Sequence, residues 1–216
     1  MTSSPDATTT TPPIPPVGTS PVTTVLLDAD GVLQIIGTPW VEALTAVGGA
    51  EFCERLLAQE GDGLAGRETM RELITRVRAE AGTTTPVPDI EIVWQRAVPD
   101  PEAWQVVRDL RAAGYRTVLA TNQYWERRAW MREELGYDGL CDVDAYSCSL
   151  GAAKPESAYF TAALELTGAR PEEALFVDDS ERNVVGAAAL GIRAVHHPAD
   201  AGGAALRREI VEALSA

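Results

Sequence analysis

In V-L-L-D-A-D-G-V-L, residues 25–33, two aspartates stand two positions apart, behind an apolar run and just ahead of a glycine. Like charges this close repel, so Asp28 and Asp30 call for a cation beside them. A carboxylate at such a place can act as a nucleophile toward phosphorus. Its neighbour two residues on can serve as general acid to the leaving oxygen and then as general base to water. A second acidic pair, Asp178 and Asp179, follows the run A-L-F-V; Thr121 and Asn122 follow V-L-A, and Lys154 sits in A-A-K-P. Carboxylates without His or Cys among them form an oxygen donor set that suits a hard ion such as Mg2+. Mg2+ keeps waters and is completed by phosphate oxygens, so a phosphorylated ligand is the natural further party. Lys154 and the Thr121 hydroxyl would donate to phosphoryl oxygens as charge spreads over them in the transition state.

Taken singly, each group has a plainer reading. Asp28 with Asp30 could be a turn pair, Asp178 with Asp179 could cap the next helix, and Thr121-Asn122 could be turn chemistry. Lys154 could be a solvated loop lysine. The elements that carry them decide. The strand V-T-T-V-L-L ends at Asp28, and some sixty residues of helical pattern follow, including 51–60 and 66–81. The segment T-T-T-P-V-P (83–88) reads as a linker closing that block. A regular rhythm begins after it. Helix 100–114 has Pro101 in its first turn and Gly114 at its end; strand Y-R-T-V-L-A runs to Thr121. Then come helix 124–135, strand 143–147, helix 155–167, strand A-L-F-V ending at Asp178, helix 181–190, strand R-A-V-H and a last helix over roughly 200–214. Five strands alternating with helices predict a parallel sheet covered on both faces, with ligands outside the carboxyl ends of the strands. All the polar groups named above fall at that rim.

The chain of 216 residues, 45% hydrophobic, is long enough for one sizeable core with a small accessory domain. A net charge of -14, from 18 basic and 32 acidic residues, disfavours nucleic acid and anionic membrane as partners and attracts divalent cations. Cys53, Cys141 and Cys148 form no C-x-x-C and read as reduced, buried thiols. With no signal-peptide pattern and no apolar run of about 18 residues, the expected location is the cytoplasm. Residues 1–20, rich in Thr, Pro and Ser, read as a disordered tail.

D-A-D-G-V-L, A-T-N-Q, A-A-K-P and L-F-V-D-D-S-E-R-N, in that order, resemble the four motifs of the haloacid dehalogenase-like hydrolase superfamily. The resemblance runs from about residue 23 to the C-terminus. It implies an α/β, Rossmann-like doubly wound core (21–37 and 97–216) with a small helical cap (38–96) inserted after the first strand. By position, it makes Asp28 the nucleophile and a Mg2+ ligand. Asp30 becomes the acid/base, with its backbone carbonyl on the metal. Thr121 and Asn122 hold the phosphoryl group, and Lys154 bridges it to the nucleophile. Asp179 ligates the metal, supported by Asp178 and Asn183, whose D-D-x-x-x-N spacing matches a family variant. The loop before Lys154 departs from the usual pattern, with Gly151 one residue further back than in relatives. Dehalogenase members lack the second acid that Asp30 supplies, so the resemblance is to the phosphatase branch.

The reading is a Mg2+-dependent phosphomonoester hydrolase for a small phosphorylated metabolite, working through an aspartyl-phosphate at Asp28. A phosphomutase, a metal-independent dehalogenase or a non-catalytic binding module are the alternatives. Arg67, Gln123, Tyr124 and Trp125 are further candidates to line the pocket. Trp94, Trp104 and Trp130 read as core or interface residues, and His196 and His197 as strand-end residues on opposite faces.

Overall fold

The apolar run behind Asp28 forms strand β1 (Thr24–Leu27), buried at every position. In the computed structural model, which describes residues 12–199 and 201–216, β1 is the centre of a five-stranded sheet. Past β1 come a short strand β2 (Gln34–Ile35) and helices α1 (Trp40–Gly48), α2 (Ala50–Gln59), α3 (Gly61–Leu64), α4 (Met70–Glu80) and α5 (Val87–Glu91). A 3-10 turn (Ile92–Gln95) then leads to β3 (Val98–Pro99), which pairs antiparallel with β2. The remainder alternates: α6 (Pro101–Ala112), β4 (Arg116–Thr121), α7 (Trp125–Glu133), β5 (Val143–Tyr146), α8 (Ser147–Leu150), α9 (Ser157–Glu165), β6 (Ala174–Asp178), α10 (Glu181–Ala188), β7 (Arg193–His196) and α11 (Gly202–Ser215).

The order across the sheet is β5-β4-β1-β6-β7, with every neighbouring pair parallel. This is the α/β arrangement that the alternating pattern predicts. Val25 and Leu27 join Val107, Leu110, Leu206 and Ile210 on one face, while Leu26 joins Tyr159, Phe160 and Phe176 on the other. Both faces of the strands are therefore buried, which is why they read as unbroken apolar runs rather than alternating ones. From β1 the chain builds β4 and β5 on one side and then returns to build β6 and β7 on the other, so the crevice of the sheet opens at the carboxyl ends of β1, β4 and β6.

The helices α1–α5 form an insert between the two strands of the small ribbon, with their own core of Leu44, Phe52, Leu56, Leu73, Ile74 and Trp94. Tyr124, from the core side, is buried in that same cluster. The segment 83–88 does not close the helical block. Its Thr83 and Thr85 hydroxyls donate to Gly48 O and Val47 O, both at 2.6 Å, and the chain turns helical again at Val87. Thr and Pro mark a turn here, not a boundary. Of the expected tail, residues 1–11 lie outside the described residues, whereas 12–20 rest on the core. Ile14 packs against it and Val17 N donates to Ala113 O at 2.9 Å. A proline-rich stretch forms no regular element, yet its rigid extended backbone can still lie in a groove. Among the described residues, no helix is long and apolar enough to cross a membrane.

Asp100 ties the ribbon to both covering helices on one face. Its Oδ1 accepts from Glu102 N (2.9 Å) and Ala103 N (3.2 Å), capping α6, while Oδ2 accepts from Gly203 N (3.0 Å) in α11. Its own N donates to Leu33 O at 3.0 Å. Asp100→Ala strips a cap and leaves a buried amide unpaired, so urea unfolding should show a loss of about 1–3 kcal/mol.

Candidate active site

Why the chain can turn so tightly after β1 is a matter of one glycine. Leu33 N and Gln34 N both donate to Ala29 O, at 2.8 and 2.9 Å, folding residues 29–34 into a compact loop. Gly31 within it has φ +76°, and a Cβ there would lie 2.6 Å from Asp179 Oδ2. Only glycine both adopts that backbone and lets the acidic end of β6 approach the end of β1.

Lys154 Nζ lies at the centre. It meets Asp28 Oδ1 at 2.8 Å, Asp178 Oδ2 at 2.6 Å and Ala120 O at 2.8 Å, so all three ammonium protons are used. The loop carrying it is fastened by Asn122, whose Oδ1 accepts from Lys154 N (2.8 Å) and whose Nδ2 donates to Lys154 O (2.9 Å). The Asn122 side chain is thus engaged with the lysine's backbone, not free for a phosphoryl group. The loop's departure at Gly151 does not keep Lys154 away: that glycine ends α8 in the left-handed region, and the ammonium reaches Asp28 all the same.

Carboxylate oxygens of Asp28, Asp178 and Asp179 come within 4.8 Å of one another. Asp178 is saturated: Oδ1 accepts from Ser180 N (2.8 Å) and Asn183 Nδ2 (2.9 Å), and Oδ2 from Lys154. Among the described residues nothing donates to Asp28 Oδ2, to the Asp179 carboxylate or to the Asp30 carbonyl. Burial pushes the Asp28 carboxyl well above its ordinary value; the Lys154 ammonium opposes this, while Asp178 and Asp179 add to it. Burial and then Asp178 push Asp179 up to about 6. Lys154 is driven the other way by burial, but Asp28 and Asp178 outweigh it and raise its pKa. Three acids share one ammonium, and the unpaired oxygens are all hard donors. That set fits a divalent cation such as Mg2+.

Asp30 is held differently. Arg127, buried on α7, grips both its oxygens, Nη1 to Oδ2 at 2.6 Å and Nη2 to Oδ1 at 2.7 Å. Gln34 Nε2 donates to Oδ1 (2.6 Å) and Gln123 Nε2 to Oδ2 (3.3 Å). Burial alone would raise this carboxyl, but Arg127, together with the hydrogen bonds from Gln34 and Gln123, holds it below the usual carboxylate value. The Asp30 side chain therefore stands outside the acidic cluster, and only its carbonyl is available toward a cation.

Asp28, Asp30, Thr121, Asn122, Lys154 and Asn183 share one cavity of about 210 Å3. Its roof comes from the insert: Trp40, Leu44, Leu57, Glu60, Leu64 and Trp94. Gln123, Tyr124 and Arg127 complete it. Trp125 does not line it; its indole donates to Gly66 O at 3.1 Å on the outside. Arg67 is also elsewhere, exposed and paired with Asp62 at 2.7 Å. His196 Nε2 contacts Asp179 O at 2.8 Å, and His197 is buried against Glu209. Trp104 donates to Leu33 O under the loop. Arg127, Glu60, Gln34 and Trp40 are site residues that the sequence reading passed over. Arg127 lies one helical turn after Gln123, a spacing that places both on one face once the start of α7 is known.

Two outcomes are expected. Arg127→Met leaves Asp30 buried without its counter-ion and should cost on the order of 3–5 kcal/mol in denaturant unfolding. The second concerns pH. An acid whose folded pKa is raised loses stability as pH climbs from its unfolded to its folded value, here from 3.8 to about 6 for Asp179. Asp30 has the opposite sign and adds stability that is lost as pH falls. A divalent cation binds the ionised acids, so the rise in Tm on adding Mg2+ over EDTA should grow across that window. An equal rise below and above it would contradict the site.

A family model for haloacid dehalogenase-like hydrolases matches residues 22–191. The GMP/IMP nucleotidase YrfG of Escherichia coli is 33% identical over 98 residues, which is 45% of this chain and 44% of that relative's length. A HAD family enzyme from Bacteroides thetaiotaomicron, BT-2542, in complex with magnesium and inorganic phosphate, superposes with a TM-score of 0.67 at 23% identity, covering 81% of this chain and 93% of that one. L-2-haloacid dehalogenase from Xanthobacter autotrophicus superposes at 0.62 with 19% identity, covering 81% and 77%. At these identities the structural neighbours speak for the fold.

Proposed function

The chain belongs to the haloacid dehalogenase-like hydrolases, and from that premise we propose that it hydrolyses a small phosphomonoester through an aspartyl-phosphate at Asp28. The observation that carries this reading is the cluster itself: a free carboxylate oxygen on Asp28, an ammonium at 2.8 Å from its other oxygen, and a second acid two residues on. A dehalogenase needs no acid for its leaving group, whereas this chain has built a four-donor cradle for Asp30. That the Escherichia coli relative is a GMP/IMP nucleotidase supports the phosphatase branch.

The residues divide the work as follows. Asp28 Oδ2 attacks phosphorus, and the P–O bond to the leaving alcohol breaks. Lys154 and the Thr121 hydroxyl stabilise the oxygens that gather charge. Asp178, Asn183 and Asn122 hold Lys154 in place. Mg2+, held by Asp28, Asp179 and the Asp30 carbonyl, would neutralise the acids and orient the phosphate. Asp30 gives a proton to the leaving oxygen and takes one from the attacking water. Arg127 holds this carboxylate ionised, so before the first transfer it must release one of its four donors and take up a proton from solvent, which it then passes to the leaving oxygen. The insert acts as a cap that keeps water out and limits the leaving group to a compact one. Three buried free thiols suit a reducing cytoplasm.

Phosphate release from a panel of phosphomonoesters should require Mg2+ and stop with EDTA, and Asp28→Asn should abolish it. Turnover that survives chelation would instead favour the dehalogenase. Asp30→Asn should lose about 10²–10⁴-fold on alkyl phosphates. It should lose far less in the first step with 4-nitrophenyl phosphate, whose leaving group needs no proton.

A further inference from the structure

The roof of the cavity holds one carboxylate among apolar side chains. Glu60 sits at the junction of α2 and α3, where its carbonyl accepts from Leu64 N at 2.9 Å, and its side chain faces the same space as Asp28. Leu44, Leu57, Leu64 and Trp94 share the roof with it. The Tyr124 hydroxyl donates to Oε2 at 3.0 Å, and among the described residues no side chain or amide donates to Oε1. Among the described residues Glu60 forms no ion pair either. Lys154 and Arg127, which line the cavity, are occupied by Asp28, Asp178 and Asp30. Arg182, exposed on α10, supplies a weak favourable field without contact.

Glu60 is half-buried, and its Oε1, without a protein donor among the described residues, stays within reach of a small ligand in the cavity. The surrounding packing fixes this carboxylate. Tyr124 is buried, its ring packs edge-on against Trp94 at 5.9 Å, and Trp94 stacks on Trp40 at 6.0 Å. A Cβ on Gly63 in α3 would lie 2.6 Å from the Tyr124 ring, so the insert is seated directly on this residue. Glu60 is thus held in the roof of the cavity, with one oxygen that no protein group among the described residues pairs.

We infer that Glu60 is the specificity-determining residue for the leaving group, accepting from an N–H donor on the far end of the alcohol that Asp28 displaces. The inference rests on the phosphatase reading and deepens it. Two sources share this chemistry: the ammonium of an amino-alcohol phosphate, and the ring N–H of a 6-oxopurine nucleotide. The carboxylate also repels leaving groups that carry a second acid, so phosphorylated hydroxy acids are selected against. At about 210 Å3 the cavity is smaller than the usual ligand pocket of roughly 300–1,000 Å3, which favours the compact amino alcohol.

The test compares kcat/KM within two matched pairs: 2-aminoethyl phosphate against propyl phosphate, and inosine 5′-monophosphate against purine riboside 5′-monophosphate, which lacks the ring N–H. The wild-type protein should prefer the donor-bearing member of at least one pair by about tenfold or more, as expected for a hydrogen bond to a charged group. Glu60→Leu should bring that ratio close to one. Glu60→Gln should reduce the ammonium preference more than the lactam preference, since an amide oxygen still accepts. The pair that responds identifies the source. Ratios near one for both pairs in the wild type, or a preference that Glu60→Leu leaves intact, would overturn the inference while the phosphatase reading stands. If Glu60→Leu does not fold, the wild-type ratios and Glu60→Gln decide. No release from any of the four esters or from 4-nitrophenyl phosphate would overturn the phosphatase reading, and this inference with it.

Discussion

A buried ammonium between two buried aspartates governs this molecule. Lys154 is almost wholly enclosed, with Asp28 and Asp178 at 2.8 and 2.6 Å. Removing such charges from water costs several kcal/mol per ion, and their attraction offsets that only when every remaining proton and lone pair is matched. The surroundings meet that condition for Lys154 and Asp178. Ala120 O takes the third ammonium proton, Ser180 N and Asn183 fill Asp178, and Asn122 fastens the loop from which Lys154 reaches in. The condition is left unmet at Asp28 Oδ2, on the wall of the cavity, and at Asp179 beside it in the acidic cluster.

The sheet order makes this possible. With β1 flanked by β4 and β6, three strand ends converge, and the tight loop at Gly31 lets the fourth acidic position close in. The ends of β1 and β6 supply carboxylates, and the end of β4 supplies the Thr121 hydroxyl and the Asn122 amide. The insert enters and leaves through the β2–β3 ribbon beside the same rim, so its inner face becomes the roof of the reaction cavity. Tyr124 links the two parts: its backbone opens α7 on the core, its ring belongs to the insert's cluster, and its hydroxyl reaches Glu60. The strand-end groups and the insert's side chains therefore line one small space.

Much of this was legible in the sequence. Buried strands leave unbroken apolar runs, helices leave caps and stops, and the acids at 28, 30, 178 and 179 fall where the runs end. The five-stranded α/β core follows from that alone. What stayed hidden depends on where side chains turn. Asn122 at a strand end reads as a phosphate donor, yet its amide serves Lys154's backbone. Trp125 and Arg67 stand near the right places in sequence and point away from the cavity, while Trp40, Arg127 and Glu60 point in. Pairing across 97 residues, as between Arg127 and Asp30, has no local signal at all. The ribbon strands have only two residues each, too short for any periodicity to show. The 83–88 segment misled because turn residues mark a change of direction whether or not a domain ends there.

The central claim is that Asp28 becomes covalently phosphorylated during turnover. Acid-quenched mass spectrometry of the Asp30→Asn variant, reacted with 4-nitrophenyl phosphate and Mg2+, tests it most directly. That variant can form the adduct, because the leaving group needs no proton, but lacks the base to hydrolyse it. The account predicts the added mass of one phosphoryl group on the peptide containing Asp28. A phosphoryl group on another residue, or wild-type turnover with inversion at phosphorus and no adduct in the variant, would contradict it.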